Sequence, residues 1–407
     1  MKKWIALLLI LCMGASLLAC GKEQEQEEVF SAPLLTATEE TTQPEESEQT
    51  GPVVGVSLPN SDDRFWMESA QAMKEHLEAQ GYTMTALFAC NDIDTQQRHM
   101  REMLINEVDC VVVAAMDSLS MLAQLDDLQG AGIPIIAYDR LLMNTDAVDG
   151  FVTYDYQTMG AQVAQSVIDR KQLDKAERAY TIELFMGAPE DHSALLFYNG
   201  VMEVLQPYLD SGALECPSGR LAFEDTCVMM DTMEDAQDAC AERLRREYPE
   251  KKLDICLAAS DTIASGCRAA LAEAGKTGDQ WPMITGQGGD LGSVKAVVND
   301  RQVVTVYKDP KAMGIAAADM AIQLLTGNVA QGDGTSSDNY MVQVPTVQMP
   351  WELITMENYR QLLVDTGIYE EKEFPAPTAP VAVPEETTET AETTQPTETT
   401  QPTETTT

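Results

Sequence analysis

Residues 132–140 run Gly-Ile-Pro-Ile-Ile-Ala-Tyr-Asp-Arg, so an apolar stretch ends in Tyr138, Asp139 and Arg140. An aromatic ring, a carboxylate and a guanidinium in succession suit a polyhydroxylated ring. The aromatic face covers C–H bonds, the carboxylate accepts from paired hydroxyls, and the planar guanidinium donates to oxygens through its fixed fork. Comparable junctions recur along the chain. Arg64, Phe65 and Trp66 follow an apolar run at 53–58, and Asp117 follows a run at 110–115. Ser260 and Asp261 follow a run at 254–259, Gln287 and Asp290 follow residues 283–285, and Lys308 follows residues 303–307.

The elements that must position these groups are short strands. Runs at 53–58, 110–115, 151–155, 182–187, 254–259, 283–285 and 303–307 lack polar alternation, as expected of parallel strands covered on both faces. Between most of them lie segments of helical period, such as Trp66, Ala70, Met73 and Leu77. The pattern is therefore βαβα over some 300 residues. That exceeds one comfortable core and predicts two lobes with a ligand between them. Open α/β sheets bind ligands at the carboxyl ends of their strands, where the polar groups fall.

These segments resemble the periplasmic-type sugar-binding proteins of ABC transporters, in the xylose-binding and multiple-monosaccharide-binding branch. The residues that carry the resemblance are 135–140, 182–185, 205–212 and 305–309, within a span of about 53 to 370. It implies a two-lobe, type I periplasmic binding protein fold, each lobe a mostly parallel α/β sheet with helices on both faces. The first lobe is expected at 53–153 plus 308–345 and the second at 154–307 plus 346–374, with crossings near Tyr154, Lys308 and Pro345.

The resemblance also implies the site. Arg64, Phe65, Trp66, Asp117, Asp139 and Arg140 are expected from the first lobe. His192, Ser193, Ser260, Asp261, Gln287 and Asp290 are expected from the second, with Lys308 at the return crossing. Trp66 reads equally as a core residue and Asp117 as a helix cap. Two departures stand out: Gly288 replaces an Asp that relatives of the xylose-binding type carry directly after Gly-Gln, and Tyr156 stands where Asn is common. A roomier pocket and an altered sugar preference follow. The implied partners are a monosaccharide and an ABC permease, with the chain acting as a monomer and needing no cofactor. Presentation of the closed form to a membrane sensor is the alternative reading.

The termini carry a different signal. Lys2 and Lys3 precede an apolar stretch from Trp4 to Leu18, which suits a signal peptide over 1–20. Leu17-Leu18-Ala19-Cys20 resembles a lipoprotein processing site, with Cys20 as the lipid attachment and only link to the extracellular membrane face. Residues 21–52 hold nine acids against Lys22 and read as a disordered tether reaching on the order of 30 Å. Residues 375–407 form a Pro/Thr/Glu-rich tail, also read as disordered.

Composition narrows the function classes. The net charge is −40, with 66 Asp and Glu against 26 Lys and Arg; of this, −28 falls on residues 53–374. A nucleic-acid surface needs clustered cations, so the repressors that share this lobe architecture are disfavoured. The nine cysteines include no Cys-x-x-Cys pair, and His76, His99 and His192 lack ligand-like spacing, so no metal is expected. Cys110 and Cys256 read as buried, while Cys216 and Cys227 flank a loop where a disulfide could form. Asp139, Asp261 and Asp290 could instead serve a glycosidase. Arg140 and Lys308 are expected to keep these acids ionised, and an ionised acid donates no proton, so an enzyme is not expected.

Overall fold

The apolar runs become the central strands of two sheets. The computed structural model describes residues 51–229 and 231–374. The leader with Cys20, the tether up to residue 50 and the tail from residue 375 lie outside the described residues. The first lobe begins with β1 (Val53–Leu58), α1 (Arg64–Ala79), β2 (Thr83–Phe88), α2 (Ile93–Ile105) and β3 (Cys110–Val113), followed by α3 (Leu122–Gly130), β4 (Ile135–Tyr138) and β5 (Gly150–Tyr154). The second lobe contributes α4 (Tyr156–Lys171), β6 (Tyr180–Phe185), α5 (His192–Asp210), β7 (Leu214–Glu215), α6 (Phe223–Thr226) and α7 (Met233–Glu247). It continues through β8 (Ile255–Ala258), α8 (Asp261–Glu273), β9 (Met283–Ile284), α9 (Leu291–Val298) and β10 (Thr305–Lys308). The chain then returns through α10 (Pro310–Leu325), β11 (Thr335–Asp338) and β12 (Gln343–Met349), and crosses again into β13 (Trp351–Ile354).

The first sheet has the order β11-β12-β5-β4-β3-β1-β2 and is parallel apart from the β11–β12 pair. The second, β7-β6-β8-β9, is wholly parallel, with β10 and β13 forming an antiparallel pair. Strands β3, β4 and β8 are buried at every position. Helices cover both faces, as such strands require. Met73 and Leu77 of α1 join Met313 and Ala317 of α10 on one face of the first sheet, while Met100 and Leu125 pack on the other. In the second lobe, Val163 and Phe197 cover one face and Cys240 and Cys267 the other.

The third crossing is displaced from Pro345. Thr346–Met349 pair with Phe151–Tyr154, so the chain stays in the first sheet through Met349 before β13 pairs with β10. Tyr154 also pairs within the first sheet and Lys308 within the β10–β13 pair, so each lies at the last rung before its crossing. Cys216 and Cys227 are free thiols. Cys216 Sγ lies 3.4 Å from Ser218 Oγ, and Cys227 Sγ donates to the Phe223 carbonyl at 3.2 Å.

Candidate functional site

Between the lobes lies a cleft of about 1120 Å³. Its walls are strand ends and the helix N-termini that follow them, where backbone N–H groups lack partners within the helix. Side chains supply those partners. Asp63 accepts from Phe65 N at 2.8 Å, Asp92 from Thr95 N at 2.6 Å and Asp191 from Ser193 N at 2.8 Å, while Ser260 caps α8. Much of the acidic lining therefore has a local structural task.

Asp139 is the pivot. Its φ of +63° places a non-glycine residue in the left-handed region, which costs on the order of 1–3 kcal/mol and persists only where the surroundings enforce it. Here they do. Asp139 N donates to Val152 O at 2.8 Å, and Asp139 O accepts from Thr153 Oγ1 at 3.0 Å and from Ser193 Oγ, across the cleft, at 3.3 Å. The turn aims the carboxylate at Tyr156, whose hydroxyl donates to Oδ1 at 2.5 Å. The same hydroxyl accepts from Lys308 Nζ at 3.0 Å, and Lys308 lies 5.0–5.4 Å from the ring centroids of Phe65, Tyr154 and Tyr156.

Arg140 spans the cleft. Its Nε lies 3.1 Å from Asp191 Oδ2, an ion pair whose angle falls short of a hydrogen bond. Burial works against its charge, but Asp191, Asp139 and Asp231 outweigh that and hold its pKa above the ordinary value. Arg64 bridges similarly, donating to Tyr369 Oη at 2.6 Å and to Glu68.

Twelve of the thirteen expected residues line this cleft: Arg64, Phe65, Trp66, Asp117, Asp139, Arg140, Ser193, Ser260, Asp261, Gln287, Asp290 and Lys308. His192 does not. It is the first residue of α5, whose next residue, Ser193, takes the cleft-facing position, and desolvation lowers the imidazole's pKa. Trp66 combines both readings, lining the cleft while 5% exposed and packed on Phe65. Asp117 likewise lines the cleft and accepts from Leu119 N at 2.9 Å. Tyr138 is displaced from the role its position suggested. It is fully buried, 6.3 Å from the Trp66 ring, because the turn at Asp139 leaves it on the core side of β4.

Asp261 is 2% exposed and already served, accepting from Thr305 Oγ1 at 2.8 Å, Gln302 Nε2 at 3.1 Å and Asp290 N at 2.9 Å. Its burial raises its pKa against those donors. Asp290 lines the cleft and stays exposed to water; desolvation, then Asp261 and Asp63, push its carboxyl up to about 7 despite Arg64 and Lys308. The expectation that Arg140 and Lys308 keep all three acids ionised is weakened at Asp290, where desolvation and neighbouring acids outweigh Lys308 and Arg140 is engaged by Asp191. Sequence reasoning missed Asp191 and Asp231 in the lining. Asp191 carries a visible signal, a cap position before a helical run; Asp231 carries none. A second groove, of about 520 Å³ beside Trp281 and Lys295, holds none of these residues.

The model of the periplasmic binding protein domain matches residues 54–328. The chain belongs to the periplasmic binding protein family. It is 30% identical over 328 residues to the multiple sugar-binding periplasmic protein SbpA of Azospirillum brasilense, covering 80% of this chain and 92% of that one. Similar figures, 30% over 319 residues, 78% and 90%, relate it to the multiple sugar-binding periplasmic receptor ChvE of Rhizobium radiobacter. Among solved structures, an ABC transporter solute-binding protein from Clostridium phytofermentans with bound β-D-glucose superposes with a TM-score of 0.76 at 32% identity, covering 79% of this chain and 99% of that one. The family expected from residues 135–140 and 305–309 is thereby established, as are its type I fold and a solute-binding, non-enzymatic role.

Proposed function

We propose that this protein captures a monosaccharide between its two lobes and delivers it to an ABC permease. The observation that carries the reading is the convergence of Asp139 and Arg140 from one lobe with Tyr156, Asp191 and Ser193 from the other on one cleft. A sugar offers hydroxyl donors and acceptors all round its ring, so only a closed cleft satisfies them from both sides. Phe65 and Trp66 supply aromatic surface for its C–H face. The multiple-sugar names of the relatives and the glucose bound by the Clostridium protein support an aldose of hexose or pentose size.

The lobes are proposed to act as rigid halves hinged at the three crossings, with the monomer as the working unit. Cys20 is proposed as the lipid-bearing mature N-terminus that holds the protein at the extracellular face of the membrane. Loss of membrane association in Cys20→Ala, measured by fractionation, tests the anchor. Isothermal titration against a panel of pentoses and hexoses tests the capture. Affinity for at least one sugar in the micromolar range, about −8 kcal/mol, is expected. Absence of heat or thermal stabilisation with every sugar defeats the reading.

A further inference from the structure

We propose that the cleft is built for an amino sugar, a hexose carrying a protonated amine, in preference to its neutral parent. The inference rests on the sugar-capture reading and names the charge of the sugar.

Eleven carboxylate residues and three cationic ones line the cleft. The three cations are engaged: Arg140 by Asp191, Lys308 by the Tyr156 hydroxyl and three rings, and Arg64 by Glu68 and Tyr369. Six of the eleven acids are also occupied, Asp139 among them as the acceptor of the Tyr156 hydroxyl. Asp63, Asp92, Asp117 and Asp191 accept backbone N–H groups at element starts, and Asp261 is saturated by Thr305, Gln302 and the Asp290 amide.

Two acids differ. Asp231 has its Oδ1 shut off from solvent with no hydrogen-bond partner among the described residues. Its left-handed φ of +50° puts it on the cleft wall just before α7, facing Arg140, Asp191, Asp63 and Lys308. Asp290 precedes α9 yet makes no capping bond with its side chain, and it faces Asp261, Asp63, Arg64 and Lys308. A buried acceptor without a donor, as at Asp231 Oδ1, is costly and calls for a partner. Desolvation pushes both carboxyls up to about 7, with neighbouring acids outweighing the cations at Asp290.

A neutral hydroxyl can donate to such a carboxylate but leaves its charge uncompensated. An ammonium brings three donors and the opposite charge. A metal ion is the other cation that could serve, but among the described residues no three acids, histidines or cysteines are grouped to hold one. A compact organic cation on a hydroxylated ring fits both the unpaired acids and the hydrogen-bonding Asp139 side of the cleft.

The test is calorimetric titration of the full mature chain with glucosamine, galactosamine and mannosamine, each against its neutral parent and its N-acetyl form, from about pH 5.5 to about pH 8.5. At least one amino sugar is expected to bind about tenfold tighter than its parent, with the N-acetyl form losing the gain. The preference should peak near pH 7, because Asp231 and Asp290 take up protons below it and the amine loses its own above it. Asp231→Asn and Asp290→Asn should each shrink the ratio toward one. If every neutral parent binds as tightly as its amine, the inference falls while sugar capture stands; if no monosaccharide binds at all, the capture reading itself falls.

Discussion

Arg140 Nε lies 3.1 Å from Asp191 Oδ2, so the turn after β4 in one lobe is held by the residue that caps α5 in the other. Both side chains are mostly buried, at 21% and 14% exposure. In such surroundings the pair is screened less than a surface bridge. It also lies where the lobes must part for a ligand to enter. On the capture reading, the contact is therefore expected to act as a latch on closure.

Asp191→Asn isolates that latch, because Asn caps a helix about as well as Asp and only the charge is lost. The folded lobes should keep their melting temperature to within a few degrees. The affinity for the best-bound sugar should fall about tenfold, or about 1.4 kcal/mol, and small-angle scattering should show a larger sugar-free radius. An unchanged affinity would remove the latch.

Tyr156 links Asp139 to Lys308 through one hydroxyl, donating at 2.5 Å and accepting at 3.0 Å. Tyr156→Phe keeps the ring against Tyr154 and removes both bonds. A hydrogen bond to a charged group contributes about 1.5–3 kcal/mol, so sugar affinity should weaken at least tenfold in the same titration. Thermal stabilisation of Tyr156→Phe by sugar equal to that of the parent would show that the Asp139 carboxylate needs no such support.

The parts of this arrangement that were legible in the sequence share a cause. Strands buried on both faces must be apolar throughout, so the polar groups that end them, Asp139, Arg140, Asp261 and Lys308, mark the sheet's carboxyl edge by contrast. Edge strands lack that contrast. β2 mixes buried and exposed residues and β11 is Thr-Ser-Ser-Asp, which reads as loop. Sequence also cannot say which lone pairs the protein itself will use. Asp261 matches a ligand position but spends its oxygens on Thr305 and Gln302, whereas Asp231 sits in an aperiodic loop and leaves an oxygen unmatched. Tyr138 belongs to β4 and follows its core face, so adjacency to Asp139 in sequence did not mean adjacency in the cleft.

Gly288→Asp, which restores the carboxylate suggested by the sequence comparison, should not behave as a clean exchange of specificity. Gly288 has a φ of +147°, and a Cβ there would meet Asp261 Oδ2 at 3.2 Å. The substitution strains the backbone and sets a second carboxyl beside one whose pKa burial already raises. A destabilisation of about 1–3 kcal/mol is expected, read as a lower urea midpoint with an unchanged slope. Gly288→Ala should show most of that loss without the charge. If Gly288→Asp matches the parent in midpoint, the loop has more freedom than its geometry implies.

Acidity should stabilise the sugar-free protein over a definite range. Asp231 and Asp290 have folded pKa values of about 7 against an ordinary 3.8, chiefly through desolvation, and Asp261 is raised as well. A raised acid binds its proton more tightly folded than unfolded, so between about pH 4 and about pH 7 the folded chain holds more protons. Its stabilising effect is complete below the unfolded pKa and is lost as pH rises through the folded one. Asp254 works in the opposite sense: Arg178 and the Thr181 amide overcome its desolvation and lower its pKa, so its contribution disappears only in stronger acid. The urea midpoint should therefore be highest near pH 5 and fall toward pH 8. Asp231→Asn should flatten that decline by removing a carboxylate that must ionise in a site without a partner. A midpoint that rises steadily from pH 5 to pH 8 in the parent would show that the cleft acids ionise without cost, and that the walls of the cleft are better solvated than the burial of Asp231 Oδ1 implies.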